Sequence, residues 1–436
     1  MSLFETELPD GLRWAKVGDF YEVTRKPRNL PIPEDGLVPF IPMEQISLDG
    51  SFEAIYLKKP AESITSGTYI ERGDILVAKI TPSFENGKQA LVEALPNSFA
   101  YATTEVIPLH SKNGEQNHRL LFYYLLHPDV RSHVAGKMEG STGRQRVPEG
   151  ALLDLPFPDF DSSEQGVIAN TLGLVQSSIR VEQEALKCCR ELRQTVMREV
   201  FTRGLRGESQ KETAIGPIPE SWDVVGLGSL GRIGNGSTPK RDIKEYWEGG
   251  YYPWLTSAKV YDRLITAADE FVTDEALARC HLPRVKAGSL VMAITGQGKT
   301  LGNCALLGIE ATVSQHLAYV SLNSSEVVGS YVRGYLETRY GYLRDVASGG
   351  GSTKGALTCA FLRDLPIPLP PTRIEQQEVA DVLDAIDQKI DLHRQKKAAL
   401  EELFRTLLHK LMTGEVRVSD LDLSALETAP TAEVTA

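Results

Sequence analysis

The sequence predicts a mixed α/β (α+β) chain: two pseudo-symmetric globular domains separated by a long antiparallel two-helix coiled coil. Three observations carry this expectation. The 436-residue chain repeats itself with a period of about 210–215 residues. Each copy opens with short apolar runs broken by Gly, Pro, Asn and Asp, and closes with a proline-free stretch whose apolar residues recur at spacings of four and three.

The repeat is carried by particular residues. Gly140-Ser141-Thr142 returns as Gly351-Ser352-Thr353, Asp154-Leu155-Pro156-Phe157-Pro158 as Asp364-Leu365-Pro366-Ile367-Pro368, and Glu164-Gln165 as Glu375-Gln376. Upstream, Gly73–Ala78 matches Gly288–Ala293, and Pro39-Phe40-Ile41 matches Pro253-Trp254-Leu255. A period of half the chain is too long for a solenoid, so each copy is a globular domain followed by a helix. The expected boundaries are globular domains at 1–161 and 217–371, long helices at 162–205 and 372–414, a linker at 206–216, and a disordered acidic tail at 415–436.

Within the globular parts, Asp74–Ile80, Ala102–Leu109, Ser289–Ile294 and His316–Leu322 have the length and apolar content of strands. One helical stretch is expected in each copy, near Arg119–Leu126 and Val328–Leu336.

The closing stretches are predicted helices of about 40 residues, hence about 60 Å each. The first seam is Ile168, Leu172, Val175, Ile179, Glu182, Leu186, Cys189, Arg193, Val196 and Val200. Adding 211 to each gives the second: Val379, Leu383, Ile386, Ile390, His393, Lys397, Leu400, Phe404, Leu407 and Leu411. Ser162 with Gln165, and Thr372 with Glu375, fit capping boxes. Two seams of one length in one chain can satisfy each other, with Glu182 set against Lys397. The alternative is a coiled coil formed with a second copy.

Charge and chemistry narrow the function. The 47 basic and 58 acidic residues give a net charge of −11, so a polyanion site must be a local patch. No run approaches the roughly 18 apolar residues of a spanning helix, and Met1–Pro9 carries two glutamates in place of a basic leader, so a cytoplasmic protein without membrane contact is expected. The five cysteines lack paired zinc-site spacing, and no metal is expected. Ala293–Thr300 ends like a phosphate-binding loop but lacks its first glycine and runs toward a strand-like segment, Cys304–Leu307. No catalytic residue is assigned.

Six loop clusters combine hydroxyl, amide and basic residues: Arg25, Lys26 and Arg28; Lys79 and Thr81 with Asn86 and Lys88; Thr142, Arg144 and Arg146; Thr238, Lys240 and Arg241; Gln297 and Lys299; Ser352, Thr353 and Lys354. Such side chains hold phosphates and read base edges. Their recurrence in both copies makes them the candidate DNA-binding set.

These residues resemble the specificity subunit of Type I DNA restriction-modification systems, over about residues 8–414. The resemblance is carried by Ala78-Lys-Ile-Thr-Pro82 with Glu85-Asn-Gly-Lys88 and Thr103-Thr-Glu105, then by Gly236-Ser-Thr-Pro239, Tyr246-Trp247, Gly249-Gly250 and Pro253-Trp254, and by the repeated Asp-Leu-Pro-x-Pro and Glu-Gln. It implies two target recognition domains, each reading half of a bipartite double-stranded DNA target. It also implies that the helices are conserved spacers docking two modification (methyltransferase) subunits, with restriction subunits completing the complex. Under this resemblance S-adenosylmethionine, ATP and Mg²⁺ belong to those partners, and this chain binds no cofactor. Two other readings stand beside it: a non-DNA two-headed scaffold, and an ATP-dependent enzyme using Ala293–Thr300.

Overall fold

The computed structural model describes residues 3–28, 30, 33, 35–46, 55–114, 117–141, 143–296, 298–323, 325–348 and 356–418. It divides into two compact units, Met1–Glu184 with Arg394–Ala436, and Ala185–His393. The division runs through both long helices, so each unit contains one half of each.

In the first unit a four-stranded antiparallel sheet runs in the order Tyr21–Val23, Val106–Ser111, Ile75–Ala78, Gln89–Leu91. Ile75–Ala78 is buried at every residue, which is why its sequence is an unbroken apolar run and not an alternation. A second sheet, ordered Leu57–Pro60, Leu37–Ile41, Phe99–Ala102, Thr68–Glu71, contains one parallel pairing, between Leu37–Ile41 and Phe99–Ala102.

The second unit repeats the plan. Its larger sheet runs Gly231–Asn235, Leu317–Leu322, Leu290–Ala293, Cys304–Leu307, Leu264–Ile265. The smaller joins Glu270–Val272, Tyr252–Leu255 and Thr312–Val313, again with one parallel pair.

Each unit holds more helix than its sequence announces. Behind His118–Tyr124 lies Pro128–Ala135, and behind Gly329–Thr338 lies Tyr340–Ser348. Pro128 reads as a break but stands in the first helical turn, where a missing N–H costs nothing. The repeated Asp-Leu-Pro-x-Pro has a structural role in both units. Pro156–Pro158 pairs with Trp14–Lys16, and Pro366–Leu369 with Asp223–Gly226, in two-stranded ribbons that tolerate prolines.

The long helices span Ser162–Arg203 and Arg373–Met412. The first is not capped by Ser162. The Asp161 carboxylate accepts the Glu164 N–H at 2.9 Å, a negative acceptor being favoured at a positive helix N-terminus. The second is capped by Thr372, whose hydroxyl accepts the Glu375 N–H at 3.2 Å. The Glu375 carboxylate does not return to close a box; it accepts the Trp222 indole N–H at 3.0 Å.

Both units bury the helices against each other and against their own domain. In the first, Ile168, Leu172, Val175 and Ile179 share a core with Phe404, Leu408, Leu411 and Met412. In the second, Leu186 and Cys189 meet Ile390, while Met197, Val200 and Phe201 meet Val379, Ala380 and Leu383. Numbers rise on one helix as they fall on the other, so the pairing is antiparallel in each unit.

Among the expected seam residues, Val196, Ile386, Leu400 and Leu407 are half-buried. Met197, Phe201, Leu408 and Met412, outside that seam, are buried. A helix facing both a partner and a domain buries a wider stripe than a coiled-coil seam.

The polar register differs by one residue from expectation. Glu182 pairs with Lys396 at 2.6 Å, while Lys397 turns along its own helix to Glu401 at 2.5 Å. A flanking lysine reaches across on its flexible stem, and an acid four residues away satisfies the seam lysine.

The segment expected as a linker forms the first strand of a hairpin, Gln210–Thr213, whose second strand, Gly216–Pro219, runs into the expected second domain. Of the expected tail, Val416 and Val418 pack on the first core and Arg417 pairs with Glu164 at 2.9 Å. Residues 419–436 lie outside the described residues. No helix among the described residues is long and apolar enough to cross a membrane.

Candidate nucleic-acid interface

In the first unit, backbone bonds gather three of the basic loops. Val147 N–H donates to the Lys79 carbonyl at 2.8 Å, Thr81 N–H to Gln145 at 3.1 Å, Lys79 N–H to Glu105 at 3.0 Å and Thr24 N–H to Pro108 at 3.1 Å. Arg25, Lys79 and Arg146 thereby line one cavity of about 410 Å³, with Glu149 among its walls. Arg25 donates to both carboxylate oxygens of Glu149, and Arg146 to both of Glu105, at 2.9 and 3.3 Å. Half-buried Lys79 has no side-chain partner among the described residues.

The other candidates of this unit divide. Thr81 donates to Glu85 at 2.9 Å, and Asn86 is exposed on the following turn. Lys88 is turned inward, its ammonium on the Met43 carbonyl at 2.7 Å, so it fastens a loop. The Lys26 ammonium lies 5.4 Å from the centre of the Tyr101 ring. Arg28 and Arg144 are exposed, and Thr142 lies outside the described residues.

In the second unit the loop after Gly236 is held by indoles. Trp254 donates to the Ser237 carbonyl at 3.0 Å and Trp247 to that of Lys240 at 3.1 Å. The Arg241 guanidinium sits 4.0 Å from the Trp247 ring and 5.0 Å from the Trp254 ring, and pairs with Glu270. Arg241 therefore braces the loop, Lys240 is exposed on it, and Thr238 is half-buried.

Lys299 is exposed on the turn joining Leu290–Ala293 to Cys304–Leu307, its carbonyl taking hydrogen bonds from Asn303 at 2.7 Å and Tyr340 at 2.8 Å. Since Met292 pairs with Cys304, Ala293–Thr300 leads from strand to strand and, among the described residues, presents no helix N-terminus to a phosphate. Gln297, Ser352, Thr353 and Lys354 lie outside the described residues.

Residues 219–402 match the family described as Type I restriction modification DNA specificity domain. Over 353 residues the chain is 25% identical to the putative type I restriction enzyme MjaX specificity subunit of Methanocaldococcus jannaschii, covering 79% of each. Over 185 residues it is 32% identical to the EcoAI specificity subunit of Escherichia coli, covering 41% of this chain and 31% of that relative. The crystal structure of the S subunit from M. genitalium shares the fold, with TM-score 0.59 and 15% identity across 93% of this chain and 98% of the other. Over residues 219–402 this chain matches the Type I restriction modification DNA specificity domain, and over most of its length it is similar to a type I restriction enzyme specificity subunit.

The two copies within this chain align by hydrogen-bond register. The bond from Lys79 N–H to Glu105 is matched by one from Ile294 N–H to His316 at 3.0 Å, and that from Val147 to Lys79 by one from Leu357 to Ile294 at 2.8 Å. The bridge Ile80–Arg146 recurs as Thr295–Ala356.

Sequence reasoning did not single out Glu149, or the partnership of Glu105 with Arg146. Glu105 sits in the family motif Thr103-Thr-Glu105, but its partner is 41 residues away. His127, Asp129 and His409 lie close enough to consider for a metal. Both ring nitrogens of His127 are engaged, Nδ1 accepting the Asp129 N–H at 3.2 Å and Nε2 facing His409 Nδ1 at 3.2 Å, so ligation there would break a helix cap.

Proposed function

We propose that this chain reads a bipartite double-stranded DNA target, one half with each globular domain, and carries no catalytic chemistry of its own. The recognition domains are 1–161 and 217–371, and the spacer helices 162–205 and 372–414. Two modification subunits dock on the helices, restriction subunits join them, and S-adenosylmethionine, ATP and Mg²⁺ are handled by those partners in the cytoplasm.

The observation that carries this reading is the cleft of Arg25, Lys79 and Arg146 in a chain of net charge −11. Cations gathered on one cleft of an acidic protein give a local polyanion site, which neighbouring subunits extend with further phosphate contacts. Reading two half-sites needs two similar domains, which the duplication supplies. The reported relatives are restriction-enzyme specificity subunits and do not favour a non-DNA scaffold.

The test is to delete the chain from its native host and sequence the methylome. Loss of one split methylated motif, restored by the intact chain, is the expected result. An unchanged methylome overturns the reading.

A further inference from the structure

Arg25, Lys79, Arg146 and Glu149 of the first cleft, with Glu105 paired to Arg146, are five charged side chains whose counterparts in the second unit are uncharged or histidine. Register equates Arg25 with Asn235, Lys79 with Ile294, Glu105 with His316, Arg146 with Ala356 and Glu149 with Cys359. The same backbone bonds form in the second copy around these uncharged or histidine side chains, so the fold does not demand the charges. Stability does not explain them either. The side chains of the two pairs are 70% and 42% exposed for Arg25 and Glu149, and 61% and 27% for Arg146 and Glu105, and exposed ion pairs contribute little.

Three cations alone would accept any phosphate. The two carboxylates change that. A phosphate oxygen can replace Glu105 on Arg146, but it leaves the carboxylate facing a like charge. A base-pair edge differs because it offers a donor beside its acceptors. In the major groove a G·C pair presents O6 and N7 to an arginine and the cytosine N4 amino group to a carboxylate.

Resting on the DNA-reading function above, we propose that Glu105 and Glu149 are specificity-determining residues of the first domain. They hold Arg146 and Arg25 away from non-target phosphates and release them to a base edge that satisfies acid and arginine together. Lys79, with no acid partner among the described residues, supplies the sequence-independent phosphate contact.

The experiment uses the full-length chain assembled with its modification partners and two duplexes, the methylated motif found by sequencing and a scrambled one, over a range of salt. For E105Q/E149Q the expected result is about tenfold tighter binding to the scrambled duplex. The slope of log affinity against log salt should steepen by about 1.8, for two further phosphates. Discrimination should fall by at least about the same tenfold factor.

R25A/R146A should not tighten scrambled binding. It separates freed arginines from general loosening of the loops. Scrambled affinity and salt slope equal to wild type in E105Q/E149Q overturn the proposal, as does weaker binding to both duplexes. If the wild-type complex itself does not prefer the motif, the DNA-reading function fails instead.

Discussion

Gln165 and Gln376 perform one task in two places. The Gln165 side-chain carbonyl accepts the Asn117 N–H at 2.9 Å, and that of Gln376 accepts the Val328 N–H, also at 2.9 Å. Each glutamine is buried at the foot of a long helix and holds the residue that opens its domain's helix. Their amide groups donate onward to the Phe160 and Glu326 carbonyls.

Replacing Gln376 by alanine leaves the buried Val328 N–H without its partner and should cost about 1–3 kcal/mol, while Q165A, which frees the part-buried Asn117 N–H, should cost about 1 kcal/mol. Urea unfolding of the full chain checks this. A Q376E variant, which keeps the acceptor but places a charge in the same buried site, should also destabilise.

Acid sensitivity of the second unit should centre on Asp387. Burial alone would raise its carboxyl, but hydrogen bonds and charge from Arg193 and Arg263 hold it below the ordinary value of 3.8. A carboxyl depressed in the folded state gives stability above its unfolded pKa, and that stability is lost as pH falls through the folded value. D387N should cost about 1–3 kcal/mol near neutrality, because Arg193, 12% exposed, loses its hydrogen-bonded carboxylate at Asp387 and keeps only Glu337 as a charged partner among the described residues. The deficit relative to wild type should narrow below about pH 4 in thermal melts.

A different pH window belongs to His127 in the first unit. Because a backbone amide can only donate, Nδ1 is the acceptor, and the ring proton lies on Nε2 toward His409. Burial pushes its pKa down from 6.5 to about 4. Below pH 6.5 the unfolded chain binds a proton that the folded one refuses, so stability falls through that range and the loss is complete near pH 4. H127N, which keeps a capping acceptor but does not titrate, should remove about 2 kcal/mol of this dependence, allowing for partial screening. Urea midpoints compared between pH 7 and 4 test it.

Gly236 is fixed by contact. A Cβ there would lie 1.7 Å from the Val313 carbonyl oxygen, inside covalent-like range of rigid backbone. G236A should cost more than about 3 kcal/mol or abolish folding. Gly249 is the control: its φ is +74° but nothing lies within 4 Å of a Cβ, so G249A should cost only about 1–2 kcal/mol of backbone strain. Soluble yield and thermal melts distinguish the two.

Much of the fold was legible because its signals are local or periodic. The strands around Ile75–Ala78 and Leu290–Ala293 follow from apolar runs, and the helices Ser162–Arg203 and Arg373–Met412 from heptads. Pro128–Ala135 was hidden because proline reads alike whether it ends a helix or begins one. The sequence points to Ser162 and the structure to Asp161, because neighbouring oxygen side chains can both cap and only backbone direction chooses.

The candidate interface was legible in part, since loop composition gives the cations but not their partners. The sequence by itself determined two similar domains, two long helices able to pair, and a set of basic loops, because repetition and periodicity are properties of the chain. Only the tertiary structure decided that Lys88 and Arg241 fasten loops, that Lys396 and not Lys397 answers Glu182, and that Arg25 and Arg146 each face an acid. Those outcomes depend on which side chains meet across distant segments. A charge's role is set by its nearest partner in space, which spacing along the chain does not encode.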